Sequence, residues 1–143
     1  MRVIPNSRVI AYNELKSKRD TEPKSNRLIL ILNPNSQGGA TGKNWKITYE
    51  KIKRFLPNPH GIIFTKKPED GTIVTRKLLQ QGYCNIAAVG GDGTINEVAN
   101  GFFKIKPRNR SAMDPMKFKP VGKLSLVNAK ATFWILPSGS RNV

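Results

Sequence analysis

The sequence predicts an α/β fold, a Rossmann-like parallel sheet with helices on both faces, and three observations predict it. Leu28-Ile29-Leu30-Ile31-Leu32 is a continuous apolar run of strand length, the pattern of a strand covered on both sides. Further apolar runs of that length alternate with stretches of helical period, as a parallel sheet with crossover helices requires. Two glycine-rich segments follow directly on strand runs, at the ends where open parallel sheets bind ligands.

Residues 1–27 mix charges with Pro5, Pro23 and several serines and hold no period, so they read as a flexible basic leader. The domain proper runs from 28 to 143. After the first strand and a glycine-rich loop, Trp45, Tyr49, Ile52 and Leu56 recur at helical spacing until Pro57 and Pro59 end the segment. Residues 61–65 read as a second strand, 72–81 as a second helix, 85–89 as a third strand and 94–100 as a third helix. Thr-Phe-Trp-Ile-Leu at 132–136 reads as a fourth strand. Between these last two, residues 104–130 carry eight basic residues, one Asp and three prolines, and read as an irregular surface insertion with room for a short hairpin at 124–127.

Twenty-five Lys and Arg against nine Asp and Glu give a net charge of +16, which attracts polyanions: nucleic acid, anionic headgroups or nucleotide phosphates. Cys84 has no cysteine to pair with, and His60 has no Cys or His neighbours for a zinc site. The first twelve residues lack the apolar centre of a signal peptide, and no apolar run reaches membrane-spanning length. The expected location is the cytoplasm, with any membrane contact peripheral.

The segment Gly90-Gly91-Asp92-Gly93-Thr94 lies between a strand run and an amphipathic helix. Thr94 and Glu97 have the spacing of a capping box, which predicts that the helix begins at Thr94. Glycines ahead of that start leave backbone amides open to phosphate oxygens, with the positive end of the helix dipole behind them. A carboxylate beside such a site is repelled by phosphate unless a cation lies between, so Asp92 points to Mg²⁺ coordination or to capture of a proton from an attacking hydroxyl. Asn33-Pro34-Asn35-Ser36-Gln37-Gly38-Gly39, after the first strand, offers small polar groups and free amides for phosphate or adenosine, and equally forms a common turn. A P-loop aligned on Gly42-Lys43 fails at Gln37 and Asn44, and a dinucleotide fingerprint from Gly91 and Gly93 fails at Asn96.

Asn33-Pro34-Asn35-Ser36, the run from Gly90 through Thr94, Ile95 and Asn96 to Gly101, and Leu136-Pro137-Ser138-Gly139-Ser140-Arg141-Asn142 together resemble the catalytic domain of diacylglycerol kinases and related lipid kinases. The resemblance covers about 28–143. It implies ATP binding, with Asn33, Pro34, Asn35, Ser36, Gln37, Thr65, Gly90, Gly91, Asp92, Gly93, Thr94, Ile95, Asn96 and Ser140 at the positions that the family uses. Ser140 keeps a hydroxyl where the family usually has Thr, and Val143 stands where it often has Asp. The family also has a second, β-rich domain after this point, which closes the cleft and adds carboxylates, so the sequence is expected to hold the nucleotide-binding N-terminal domain alone.

The implied function is ATP-dependent, Mg²⁺-assisted transfer of phosphate to the hydroxyl of diacylglycerol or a related lipid, with Asp92 as the catalytic and metal-binding candidate. Lys43 and Arg141 are further phosphate partners by proximity. The expected partners are a lipid substrate and an anionic membrane surface, with a homodimer left open and nucleic acid disfavoured for want of a base-reading motif. Lys104, Lys106, Arg108, Arg110, Lys117, Lys119 and Lys123, with Met113, Met116 and Phe118, are expected to hold the protein at that membrane. The alternatives are a non-catalytic module binding nucleotide, nucleic acid or membrane, and a soluble enzyme resembling NAD kinase, which Asn33-Pro34 disfavours.

Overall fold

The computed structural model describes residues 9–10, 23–57, 60–107 and 122–137. Five strands form one parallel sheet: β1 (Val9–Ile10), β2 (Leu28–Leu32), β3 (His60–Phe64), β4 (Asn85–Gly90) and β7 (Thr132–Pro137), in the order β1-β3-β2-β4-β7. The chain therefore steps from β2 to β3 in one direction, then crosses back over β2 to β4 and on to β7. Right-handed crossovers in opposite directions put their helices on opposite faces. Accordingly α1 (Ala40–Ile52) covers one face, and α2 (Asp70–Gln80) with α3 (Asp92–Gly101) covers the other.

The all-apolar β2 run is explained by this layering, because successive side chains point to opposite faces. Leu28, Leu30 and Leu32 meet Trp45 and Tyr49 of α1, together with Ile62, Ala87 and Val89. Ile29 and Ile31 meet Leu78 and Leu79 of α2 and Val98 of α3, together with Ile63, Ile86, Ala88, Tyr83 and Phe102. The predicted fold class is the observed one.

Several boundaries differ from expectation. Val9 and Ile10, placed in the flexible leader, add a strand to the sheet edge beside β3, and residues 24–26 form a 3-10 turn that leads into the buried Arg27. The other leader residues before Pro23 lie outside the described residues. The helices start earlier than the apolar spacing indicated: α1 at Ala40, α2 at Asp70 and α3 at Asp92, because their first turns are small or polar. The insertion is not irregular at its ends. Phe103–Pro107 (β5) pairs antiparallel with Gly122–Leu126 (β6) as a separate ribbon, two residues ahead of the hairpin expected at 124–127. Arg108, Arg110, Met113, Met116, Lys117, Phe118 and Lys119 lie outside the described residues.

One buried polar pair makes the fold sensitive to pH. His60 is 2% exposed; its Nδ1 lies 2.9 Å from the Pro57 carbonyl oxygen and its Nε2 2.9 Å from the Tyr49 hydroxyl. A carbonyl only accepts, so Nδ1 carries the proton and Nε2 accepts from Tyr49. Burial pushes His60 below its usual value of 6.5, while the Pro57 hydrogen bond works against that shift. As pH falls through 6.5, the unfolded chain takes up a proton that the fold resists, so stability is full above 6.5 and declines until the folded value is passed. The urea midpoint is expected to drop between about pH 7.5 and about pH 5.5, and His60→Gln should flatten that drop.

Candidate functional site

β2 and β4 are sheet neighbours from which the chain departs in opposite directions, so the crevice beyond Leu32 and Gly90 is a topological switch point. Both glycine-rich segments start there. After Leu32, the Asn33 side-chain oxygen accepts the Asn35 N–H at 2.9 Å, and Ser36 donates its N–H (3.2 Å) and its hydroxyl (2.9 Å) to the Asn33 carbonyl. The hydroxyls of Ser36 and Thr41 also share a hydrogen bond, which ties the turn to α1. Gln37, Gly38 and Gly39 then have φ of 56°, 64° and 89°, a left-handed run that swings the chain into α1. Gly42 lets the first turn of α1 rest on this loop: its N–H donates to the Pro34 carbonyl at 3.0 Å, and a Cβ there would stand 2.8 Å from the same oxygen. Sequence reasoning met Gly42 only in a rejected P-loop alignment.

The second segment folds against the first. Gly90 has φ of 151°, and a Cβ on it would lie 2.9 Å from Thr94 Oγ1 and 3.5 Å from Ser36 Oγ. A Cβ on Gly91 would lie 3.7 Å from Gln37 Nε2, whereas one on Gly93 would meet nothing within 4 Å. Ser36 and Gln37 thus line one side of a cradle whose floor is Gly90 and Gly91 and whose mouth is open at Gly93.

The cradle is capped by α3, and here the capping-box expectation is corrected. The helix starts at Asp92 with Gly91 as its N-cap and no side-chain cap. Ile95 N–H is bonded to Gly91 O at 3.1 Å, so the amides of Asp92, Gly93 and Thr94 precede the first acceptor of the helix and face outward at its positive end. Thr94 is 4% exposed, and its hydroxyl is buried with no hydrogen-bond partner. A buried hydroxyl left unpaired costs about 1–3 kcal/mol, which a ligand oxygen in the cradle would relieve. Glu97 does not fold back toward Thr94. Its carboxylate instead accepts the N–H groups of Glu69 (3.0 Å) and Gly71 (3.1 Å) at the start of α2.

The other expected residues divide. Thr65 lies beside the end of β2, buried, with its N–H 2.9 Å and its hydroxyl 3.5 Å from the Leu32 carbonyl, so its hydroxyl faces the strand end. Ile95 packs partly buried against the core, while Asp92, Asn96 and Lys43 are exposed at the sheet's C-terminal edge or on the helices that leave it. Asp92 is the one carboxylate in the cradle loops, and among the described residues no group of three or more His, Cys, Asp or Glu could hold a metal ion. Ser140 and Arg141 lie outside the described residues. Among the described residues no helix is long and apolar enough to cross a membrane.

Comparison with known proteins gives the family. A family model described as the diacylglycerol kinase catalytic domain matches residues 27–143. A diacylglycerol kinase of Staphylococcus carnosus is 40% identical over 52 residues, which are 36% of this chain and 17% of that protein. The sphingoid long chain base kinase 4 of Schizosaccharomyces pombe is 26% identical over 92 residues, 64% of this chain and 19% of that protein. A solved structure, "A putative diacylglycerol kinase from Bacillus anthracis str. Sterne", shares the fold with a TM-score of 0.50 and 24% identity, covering 85% of this chain and 33% of that one. The chain thus spans a third or less of the length of these relatives.

Proposed function

The chain belongs to the diacylglycerol kinase catalytic domain family, a family of ATP-using lipid kinases, and from that premise we propose that its cradle holds the phosphates of ATP for transfer to a lipid hydroxyl. The observation that carries this reading is Thr94, whose buried hydroxyl lacks a partner beside three open amides at a helix N-terminus. The residues present fit a triphosphate: the floor is glycine, the walls are Ser36 and Gln37, and the mouth at Gly93 is unobstructed.

The amides of Asp92, Gly93 and Thr94 hold phosphate oxygens, and the Thr94 hydroxyl donates to one of them. Asn33, Pro34 and Asn35 keep the first loop folded, and Thr65 braces β3 against it. Gln37 reaches over Gly91 to fix the phosphate chain, and Asn96 lies on the exposed side of α3 beyond it. Mg²⁺ fits as a partner of Asp92 and the phosphates together, since one carboxylate alone makes a poor site, and when bound it supplies charge neutralisation. Asp92 is exposed at the mouth, where it can also accept the proton of an acceptor hydroxyl. Diacylglycerol or a related long-chain alcohol is the proposed acceptor, presented at a membrane that the protein meets peripherally from the cytoplasm. Ser140, outside the described residues, is proposed for the same site on the family resemblance alone.

Calorimetric titration with ATP, with and without Mg²⁺, tests the reading. Gly91→Asp fills the space beside Gln37 and sets a negative charge against phosphate, so affinity should fall at least about tenfold, and further than in Asp92→Ala. Unchanged affinity in both variants would remove the loop from the site.

A further inference from the structure

The β5–β6 ribbon has two chemically different faces. Its register pairs Phe103 with Leu126 and Ile105 with Leu124, so all four project to one side, while Lys104, Ser125 and Lys123 belong to the other. The apolar four are 38%, 49%, 56% and 61% exposed in that order, whereas the residues that anchor the ribbon, Phe102 and Val127, pack into the core. Two adjacent apolar pairs left in water form a patch rather than scattered exposure.

We propose that this apolar face, with Lys104 and Lys123 behind it, is a docking surface for an anionic lipid bilayer. The charges select the occupant. A second copy of the chain would bring the same lysines together on two molecules of net charge +16, so a ribbon-to-ribbon dimer is opposed where an anionic surface is favoured. Nucleic acid would satisfy the lysines but not the aliphatic pairs, since Phe103 is the one aromatic residue on the face and stacking platforms need several. A bilayer takes both, with Phe103, Ile105, Leu124 and Leu126 dipping among acyl chains and the long lysine side chains reaching headgroups around the thin ribbon.

Position assigns the ribbon a holding role. It continues from the C-terminal end of α3, with Arg76 Nη2 donating to the Phe103 carbonyl at 3.0 Å and Phe102 O accepting Val127 N–H at 2.9 Å. The phosphate cradle is at the other end of the same helix. Bilayer docking and nucleotide binding therefore use separate ends of α3. The choice of a bilayer rests on the lipid-acceptor reading, but the face itself does not.

Sedimentation of the full chain with vesicles of phosphatidylcholine alone, or mixed with phosphatidylglycerol, tests the proposal. The chain should partition onto the anionic vesicles, and Ile105→Ser with Leu124→Ser should reduce that partitioning about tenfold. Lys104→Gln with Lys123→Gln should reduce it several-fold at low salt and less at high salt. Leu124→Trp should strengthen it, with an unchanged urea midpoint and no pellet when vesicles are left out, which separates the gain from misfolding. Gly91→Asp should leave it unchanged, so that loss of ATP binding and loss of docking fail separately. Undiminished binding of the serine variant would overturn the proposal. So would a dimer that the serine changes dissociate, or preference for nucleic acid over the anionic vesicles.

Discussion

Gly101→Ala is expected to destabilise the domain by about 3 kcal/mol, although alanine is favoured over glycine inside a helix by about 1 kcal/mol. The two effects have opposite signs, and distance decides between them. A Cβ on Gly101 would lie 2.5 Å from Thr75 Cβ, 2.7 Å from its Cγ2 and 2.9 Å from the Thr72 carbonyl oxygen. Thr75 is fully buried and the carbonyl belongs to the backbone of α2, so neither can move aside without shifting one helix against the other. Gly101 has no positive φ, so room rather than backbone freedom is what requires glycine. Urea denaturation should show a lower midpoint for the alanine variant and a still lower one for Gly101→Val. A stabilised alanine variant would mean that α2 and α3 are not packed at this distance.

That glycine also shows what the sequence could and could not reveal. The β2 run, the alternation of strands with helices and the two glycine-rich strand ends are local patterns, and together they predict the observed parallel sheet with helices on both faces. Val9–Ile10 escaped because two residues carry no period; the strand exists through its pairing with His60 and Gly61. Of the ribbon only the neighbourhood of β6 is anticipated, as room for a hairpin at 124–127, because Phe-Lys-Ile-Lys-Pro follows a helix without a turn signal and its partner strand stands fifteen residues away. Gly101 stood at the end of a run matched to a family, where its helical neighbours explained it well enough, and the approach of Thr75 is a tertiary fact.

The site was legible in the same uneven way. That the segments from Asn33 and from Gly90 both sit at the C-terminal edge follows from their place after strands, and the structure brings Ser36 and Gln37 against Gly90 and Gly91. The helix start was misjudged by two residues because Thr94 and Glu97 have capping-box spacing, while the actual N-cap is a glycine that offers no side chain. The misreading hid two consequences. Thr94, read as a cap, is a buried hydroxyl free for a ligand, and Glu97, read as its partner, serves another helix. Spacing cannot distinguish a carboxylate that returns to its own helix from one that crosses to the next.

Glu97→Ala is the second change with a large expected effect, about 2–4 kcal/mol of lost stability. The carboxylate holds two backbone N–H groups at the start of α2, Glu69 at 3.0 Å and Gly71 at 3.1 Å, where a helix has no acceptor of its own. Its negative charge also sits at the positive end of the α2 dipole. The approach is close: a Cβ on Gly71 would lie 2.8 Å from Glu97 Oε2 and 3.0 Å from its Cβ, so the carboxylate would have to shift. Thr72 completes the clasp, its hydroxyl donating to the Glu97 carbonyl at 2.8 Å, a bond that the alanine variant keeps. Glu97→Gln retains the size and one acceptor oxygen but turns an amide N–H₂ toward the second donor, so it should fall between wild type and alanine. Because Glu97 lies on α3 one turn beyond Thr94, loosening it should also slacken the cradle: ATP affinity should weaken in the order wild type, glutamine, alanine, in step with the denaturation midpoints. An alanine variant as stable as wild type, with the two N–H donors left unpaired at no cost, would mean that the start of α2 is held by something other than Glu97.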